Sequence, residues 1–257
     1  MSNTELDKAL AEKLENNKKV IVPYIMAGDK PLDQLEEQLE FLQESGAAAV
    51  ELGIPFSDPV ADGPTIQDAG QRSLKNGTTL TTVLKALKSF ADKRTVPVIL
   101  MTYLNPVFKY GIESFAKDCA NAGVNGVIIP DLPLEEETII TDDLQQNEIS
   151  YIRLAAMTSP VDRLQKIAEQ TEGFLYAVSV TGTTGARTTH DDKVKSYLQK
   201  LKQYTEKPVL AGFGVSTSSQ AHNLAEACDG VIIGSTIVNF LHQDEKVNVQ
   251  KLLQESV

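Results

Sequence analysis

Short apolar runs alternate with longer amphipathic stretches along the whole chain, and this alternation sets the first structural expectation. The runs cover 20–28 (VIVPYIMAG), 48–55 (AAVELGIP), 96–103 (VPVILMTY), 126–131 (GVIIPD), 151–156 (YIRLAA), 174–179 (FLYAVS), 208–214 (PVLAGFG) and 230–235 (GVIIGS). Their nearly continuous apolar character suits parallel strands covered on both faces. Between them lie segments such as LDQLEEQLEFLQESG, where apolar residues recur at helical spacing before a terminating glycine. Pro31, Pro160 and the Ser216–Thr217 pair stand where helices should begin.

Eight strands alternating with helices predict an α/β fold, the closed (β/α)8 or TIM barrel. An open doubly wound sheet is the alternative; it needs fewer strands, and its G-x-G-x-x-G fingerprint is missing after the first run. No linker or composition shift divides the chain, so residues 1–257 are expected to form a single barrel domain. The charged, helix-like segment before the first run should cap the barrel floor. Arg153, alone inside the fifth run, reads as a long side chain snorkelling out at the strand edge.

Composition narrows the function. A net charge of −11 argues against nucleic-acid or anionic-membrane binding. An anionic substrate stays open, because backbone N–H groups and helix N-termini can hold a phosphate. Cys119 and Cys228 make no disulfide framework and read as buried free thiols in helical regions. With no secretory apolar core at the N-terminus and no run of membrane-spanning length, a cytoplasmic protein is expected.

In such a barrel the chemistry lies at the C-terminal ends of the strands. The seventh run ends Gly212-Phe213-Gly214 and the eighth ends Gly234-Ser235, each followed by a helix start. Glycines there admit a phosphate to the backbone, and the helix N-termini supply donors. Glu51 sits inside the second run, where a desolvated carboxyl can act as acid and base near neutral pH. The runs contain no lysine and only Arg153 as a cation, so a structural partner for Glu51 is not evident. The loop that follows carries Asp58 and Asp62, and spacing does not choose between them. The long loop after the sixth run, Val180 to His190, suits a lid, with Arg187 and His190 read as solvated. The missing strand lysine argues against a Schiff-base aldolase, and three dispersed histidines argue against a metal site.

The stretch Val50-Glu51-Leu52-Gly53-Ile54-Pro55-Phe56-Ser57-Asp58-Pro59-Val60-Ala61-Asp62-Gly63-Pro64 closely resembles the signature of the tryptophan synthase α chain family. The resemblance extends through Ala27-Gly28-Asp29, Met101-Thr102-Tyr103-Leu104-Asn105-Pro106, Pro130-Asp131-Leu132-Pro133 and Thr184-Gly185-Ala186-Arg187. It implies a lyase that cleaves indole-3-glycerol phosphate to indole and glyceraldehyde 3-phosphate by a retro-aldol reaction. By this resemblance Glu51 is the acid–base group, Asp62 holds the indole N–H, and Tyr176 positions Glu51. Gly185, Gly212, Gly214, Gly234 and Ser235 match phosphate-binding positions, with Phe213 between two of them. Thr184 matches a lid residue, and Tyr24 falls where the family often has phenylalanine beside the indole.

The resemblance also implies a partner β chain carrying pyridoxal phosphate in an αββα assembly, with no cofactor on this chain. Pro55, Phe56, Ser57, Asp58, Asn105 and Pro133 match its partner-facing side. Two rivals remain at this point. Indole-glycerol-phosphate synthase would need a catalytic lysine at a strand end, and a non-catalytic allosteric subunit would not need Glu51, Asp62 and the glycine loops.

Overall fold

The computed structural model describes residues 4–178 and 188–256. The strands are β1 (Val20–Met26), β2 (Val50–Gly53), β3 (Val98–Met101), β4 (Val124–Ile128), β5 (Ser150–Tyr151), β6 (Arg153–Ala156), β7 (Leu175–Val178), β8 (Val209–Gly212) and β9 (Gly230–Ile233). All their pairings are parallel, in the order β5-β4-β3-β2-β1-β9-β8-β7-β6. The two ends of that order, β5 and β6, are consecutive in the chain and separated by Ile152 alone. They are one strand position interrupted at a residue, so the sheet returns on itself as a closed barrel of eight positions. Each apolar run overlaps its strand, although β4 begins at Val124, two residues before its run, and β5 begins at Ser150, one residue before its run.

Period-two alternation then sorts the side chains. Ile21, Ile25, Val50, Leu52, Val98, Leu100, Val127 and Val209 face the surrounding helices in the main core. Val20, Val22, Ile99, Ile128, Ile152, Phe174, Leu210 and Ile232 fill the barrel interior. The floor is closed by helix α1 (Glu5–Glu15), which begins with a capping box between Thr4 and Asp7. Its Leu6 and Leu10 insert among the interior residues. A side chain at Gly173 would press on the tip of Leu6 and one at Gly126 on the tip of Ile152 beside it, so both positions leave space around this plug.

The helices that matter for the site are α2 (Leu35–Glu44), α3 (Pro64–Lys75), α4 (Leu80–Ser89), α5 (Leu104–Tyr110), α6 (Ile112–Asn121), α7 (Thr138–Gln146), α8 (Val161–Gln170), α9 (Thr188–Leu201), α10 (Ser218–Ala225) and α11 (Ser235–His242). Pro31 precedes a 3-10 turn leading into α2, Pro160 caps α8, and the Thr217 hydroxyl caps α10 by accepting from the Gln220 N–H. Cys119 lies on α6 as expected, but Cys228 sits in the turn after α10 rather than on a helix; both are buried free thiols. No helix among the described residues is long and apolar enough to cross a membrane.

Arg153 differs from the sequence reading. Its side chain is only 10% exposed and forms a forked pair with Glu137, Nη2 to Oε1 at 2.7 Å and Nε to Oε2 at 2.9 Å. The guanidinium also donates to the carbonyls of Tyr151 and Gln170 and lies 4.9 Å from the centre of the Tyr151 ring. Snorkelling fails because the break in the strand and the end of α8 leave carbonyls there, and an inward-folded fork meets them while pairing a buried acid. Truncating one partner of such a buried pair strands the other charge. Glu137→Ala should therefore lower the unfolding free energy by about 3–5 kcal/mol. Urea unfolding checks this, and a change below about 1 kcal/mol would rule the buried pair out as a strong constraint.

Candidate active site

Glu51 is on the inner face of β2 near the barrel mouth, 1% exposed, in register with Tyr24 of β1 and Ile99 of β3. Neither carboxyl oxygen has a hydrogen bond of ordinary geometry among the described residues. Arg153, the cation in the strands, is committed to Glu137. Burial pushes the Glu51 carboxyl up to about 8, the negative charge of Asp62 pushes the same way, and the Tyr176 hydroxyl pulls it back. Tyr176 stands on the inner face of β7, and a side chain at Gly212 of neighbouring β8 would run into its ring.

Asp62 lies in the loop between β2 and α3, one residue before the helix cap Gly63. Its backbone N–H donates to the Pro59 carbonyl, and its own carbonyl accepts from the Gln67 side chain at 2.8 Å. Partial burial raises its carboxyl to about 6, with the Tyr103 hydroxyl opposing the shift. Tyr103 anchors this loop as well: its hydroxyl accepts from the Ala61 N–H at 3.1 Å, and its ring stacks on Phe56 at 5.1 Å between centroids. Tyr103 belongs to the motif singled out in the sequence, yet nothing in its spacing marked it as the support of Asp62.

Tyr24 is 5% exposed, and its hydroxyl packs so closely on Gly53 that any side chain there would collide with it. Burial and the charges of Asp62 and Glu51 hold this phenol well above its ordinary range, so it stays neutral. Across the mouth, α11 begins at Ser235 with Gly234 as its cap and no side chain filling the N-terminal donors. The Thr236 hydroxyl donates to the Val215 carbonyl at 3.0 Å, tying the loop after β8 to this helix. Gly214 in that loop has φ +69°, a left-handed conformation that disfavours other residues. Phe213 is half-buried beside it and meets Tyr197 of α9 edge-on. Thr184, Gly185 and Arg187 lie outside the described residues, and His190 is on α9.

A cavity of about 550 Å³ joins Ala61, Met101, Leu154, Tyr176 and Gly212 to a groove along Pro130–Leu134 and α8. Of the expected partner-facing residues, Ser57, Asp58, Asn105 and Pro133 are exposed around this end of the barrel. Phe56 is half-buried against Tyr103, and Pro55 is buried within the chain. The described residues contain no cluster of histidine, cysteine and carboxylate suited to a metal ion.

A closed barrel whose mouth holds a desolvated carboxyl group with no cation beside it among the described residues, a second carboxyl whose charge acts on it and a helix N-terminus without a side-chain cap fits an enzyme of the acid–base barrel class. Comparison with known sequences makes this particular. A model of the family described as "Tryptophan synthase alpha chain" matches residues 10–257, and the chain belongs to that family. The alpha chain of Oceanobacillus iheyensis is 56% identical over 257 residues, which is 100% of this chain and 98% of that one. The crystal structure of tryptophan synthase subunit alpha from Legionella pneumophila superposes with a TM-score of 0.89 at 35% identity, covering 98% of this chain and 97% of that one. A structure of Mycobacterium tuberculosis tryptophan synthase gives a TM-score of 0.89 at 32% identity, covering 98% and 96%.

The raised Glu51 pKa has a consequence for stability. An acid whose folded pKa lies above its unfolded value keeps its proton longer in the fold. The native state therefore loses stability as pH rises from the ordinary 4.5 toward about 8. Glu51→Gln removes that titration, so the variant should gain on the wild type by up to about 1.4 kcal/mol per pH unit across this window. Denaturant unfolding at several pH values between 5 and 8 reads the difference, and a constant offset would contradict a desolvated Glu51.

Proposed function

We propose that the chain cleaves indole-3-glycerol phosphate to indole and glyceraldehyde 3-phosphate, with Glu51 moving both protons. The observation that carries this reading is the pair of carboxyl groups pushed apart, Glu51 to about 8 and Asp62 to about 6. At neutral pH the first is mostly an acid and the second mostly an anion, so the two roles are assigned by environment. Glu51 gives its proton to C3 of the indole ring, leaving a carboxylate and a positively charged indolenine. Asp62 accepts the ring N–H and stabilises that charge as it forms. The Glu51 carboxylate then takes the proton from the side-chain hydroxyl next to C3. The carbon–carbon bond breaks as the aldehyde forms, and its electrons return to the ring to release indole. Glu51 ends protonated, ready for the next cycle.

Tyr176 keeps the Glu51 carboxyl aimed into the mouth, and Tyr24 walls the indole side. The phosphate is held by the α11 N-terminus at Gly234 and Ser235 and by the backbone of Gly212 and Gly214, and Gly185 matches a further phosphate-binding position of the family. Thr184 matches a lid residue of the family. Ser57, Asp58, Asn105 and Pro133, with Phe56 behind them, face a β chain whose pyridoxal phosphate joins indole to serine in an αββα assembly. Pro55 supports that surface from within. Two unpaired buried thiols suit a reducing cytoplasm.

Glu51→Gln should lower the rate of indole release by at least about 10²–10⁴-fold while substrate still binds. A fully active variant sinks the assignment. The pH profile of kcat/KM should be a bell, rising as Asp62 ionises near 6 and falling as Glu51 loses its proton near 8. Stopped assays of indole from pH 5 to 9 check it, and a profile without an alkaline limb contradicts a protonated Glu51. A non-catalytic subunit would release no indole at any pH.

A further inference from the structure

Helix α3 is an addition to the alternating pattern, since α3 and α4 both lie between β2 and β3. It packs over the mouth against β1 and α11, with Ile66 and Ala69 in a small apolar cluster with Tyr24, Met26 and Val238. Its buried face consists of Ile66, Ala69, Gly70 and Ser73, three of which offer little apolar surface. Hydrophobic contact alone therefore holds this helix weakly.

Its far end is instead fastened to the loop after β1 by polar contacts. Arg72 grips Asp29 through two parallel bonds, Nε to Oδ1 at 2.5 Å and Nη2 to Oδ2 at 2.9 Å, with the Asp29 side chain 10% exposed. The Ser73 hydroxyl donates to the Ala27 carbonyl at 2.5 Å, and the Asn76 amide donates to the Gly28 carbonyl at 3.0 Å. Any side chain at Gly28 would strike Thr78, so the loop and the helix end meet without slack. Asp62 stands just ahead of the other end of this helix, which it joins through the Gln67 side chain and the Gly63 cap.

We propose that Arg72 and Asp29 are a positioning pair for Asp62: by fixing the far end of α3, their fork sets where the Asp62 carboxylate meets the indole N–H. The proposal rests on the role given to Asp62 above. A forked arginine–carboxylate pair fixes direction as well as distance, which one point charge does not. A small tilt of α3 about its tethered end moves Asp62 at the other, and misplacement of about 1 Å is enough to cost on the order of 100-fold in rate. The nearby Lys30–Asp244 contact leaves the same loop, but its acid is 82% exposed and it touches neither α3 nor the site.

The test is a double-mutant cycle on the full chain, reading kcat for indole release from indole-3-glycerol phosphate, with circular dichroism to verify folding. Arg72→Gln should lower kcat by roughly 10–100-fold while KM changes by less than about 3-fold. Arg72→Lys, which keeps the charge and loses the fork, should fall between it and the wild type, and Lys30→Gln should match the wild type. In an Asp62→Asn background Arg72→Gln should cost less than about 3-fold more, because the group it positions is already gone. The same factor in both backgrounds, or an unchanged kcat for Arg72→Gln, overturns the positioning role alone. An Asp62→Asn enzyme with full activity overturns the role of Asp62 itself, and the pair with it. If Arg72→Gln does not fold, the cycle is run with Arg72→Lys and judged by the same comparison.

Discussion

The site depends on one costly arrangement: a carboxyl group kept inside the barrel mouth with no cation among the described residues to neutralise it. An uncompensated buried charge is expensive, so Glu51 avoids the charge by holding its proton, and that proton is the one proposed to reach the indole ring. A rigid wall is required for this. A flexible site would let water or a lysine reach the carboxyl and return its pKa to the ordinary range. Tyr24, Ile99 and Tyr176 supply that wall from the barrel's own inner layer, and α1 seals it from below.

The contrast with Glu137 shows that burial by itself does not make an acid catalytic. Glu137 is also buried, but a guanidinium forks onto both of its oxygens, so its charge is satisfied and it serves the fold. The strand cation that stood in the sequence as the one conceivable partner of Glu51 belongs to this second acid. Parity along the strands separates them: Ile152 and Leu154 point inward, which turns Arg153 outward toward α7 and α8. Two buried acids and one strand arginine thus resolve into a structural pair and, among the described residues, an acid without a cation.

Much of the barrel was legible because strands buried on both faces leave continuous apolar runs, and every run overlaps a strand. Glu51 was legible for the same reason, as the acid inside such a run. Asp62 was not, because a loop residue's direction is set by what grips the loop. Here the grip comes from Tyr103 on one side and α3 on the other, and neither contact has a sequence period. Arg153 was misread because its partners lie far along the chain, and the break at Ile152 has no compositional mark. Pro55 belongs to the recognised motif, but it is buried beside the exposed Ser57 and Asp58, and a motif does not distinguish the residue that supports a surface from those that present it.

Helix α3 links these observations. A catalytic group on a loop needs support as firm as that of one on a strand, or its partner's precision is wasted. Glu51 draws its support from the barrel ladder. Asp62 has no ladder, and the chain inserts an extra helix whose apolar face is too small to hold by itself. The polar fastening at its far end is the consequence of that small face. Larger side chains on α3 would grip better, but they would press on Tyr24 and Met26, against which its buried face packs. Small residues against the mouth and a fork at the distant end satisfy both demands, leaving Tyr24 and Met26 in place while the end of the helix is held.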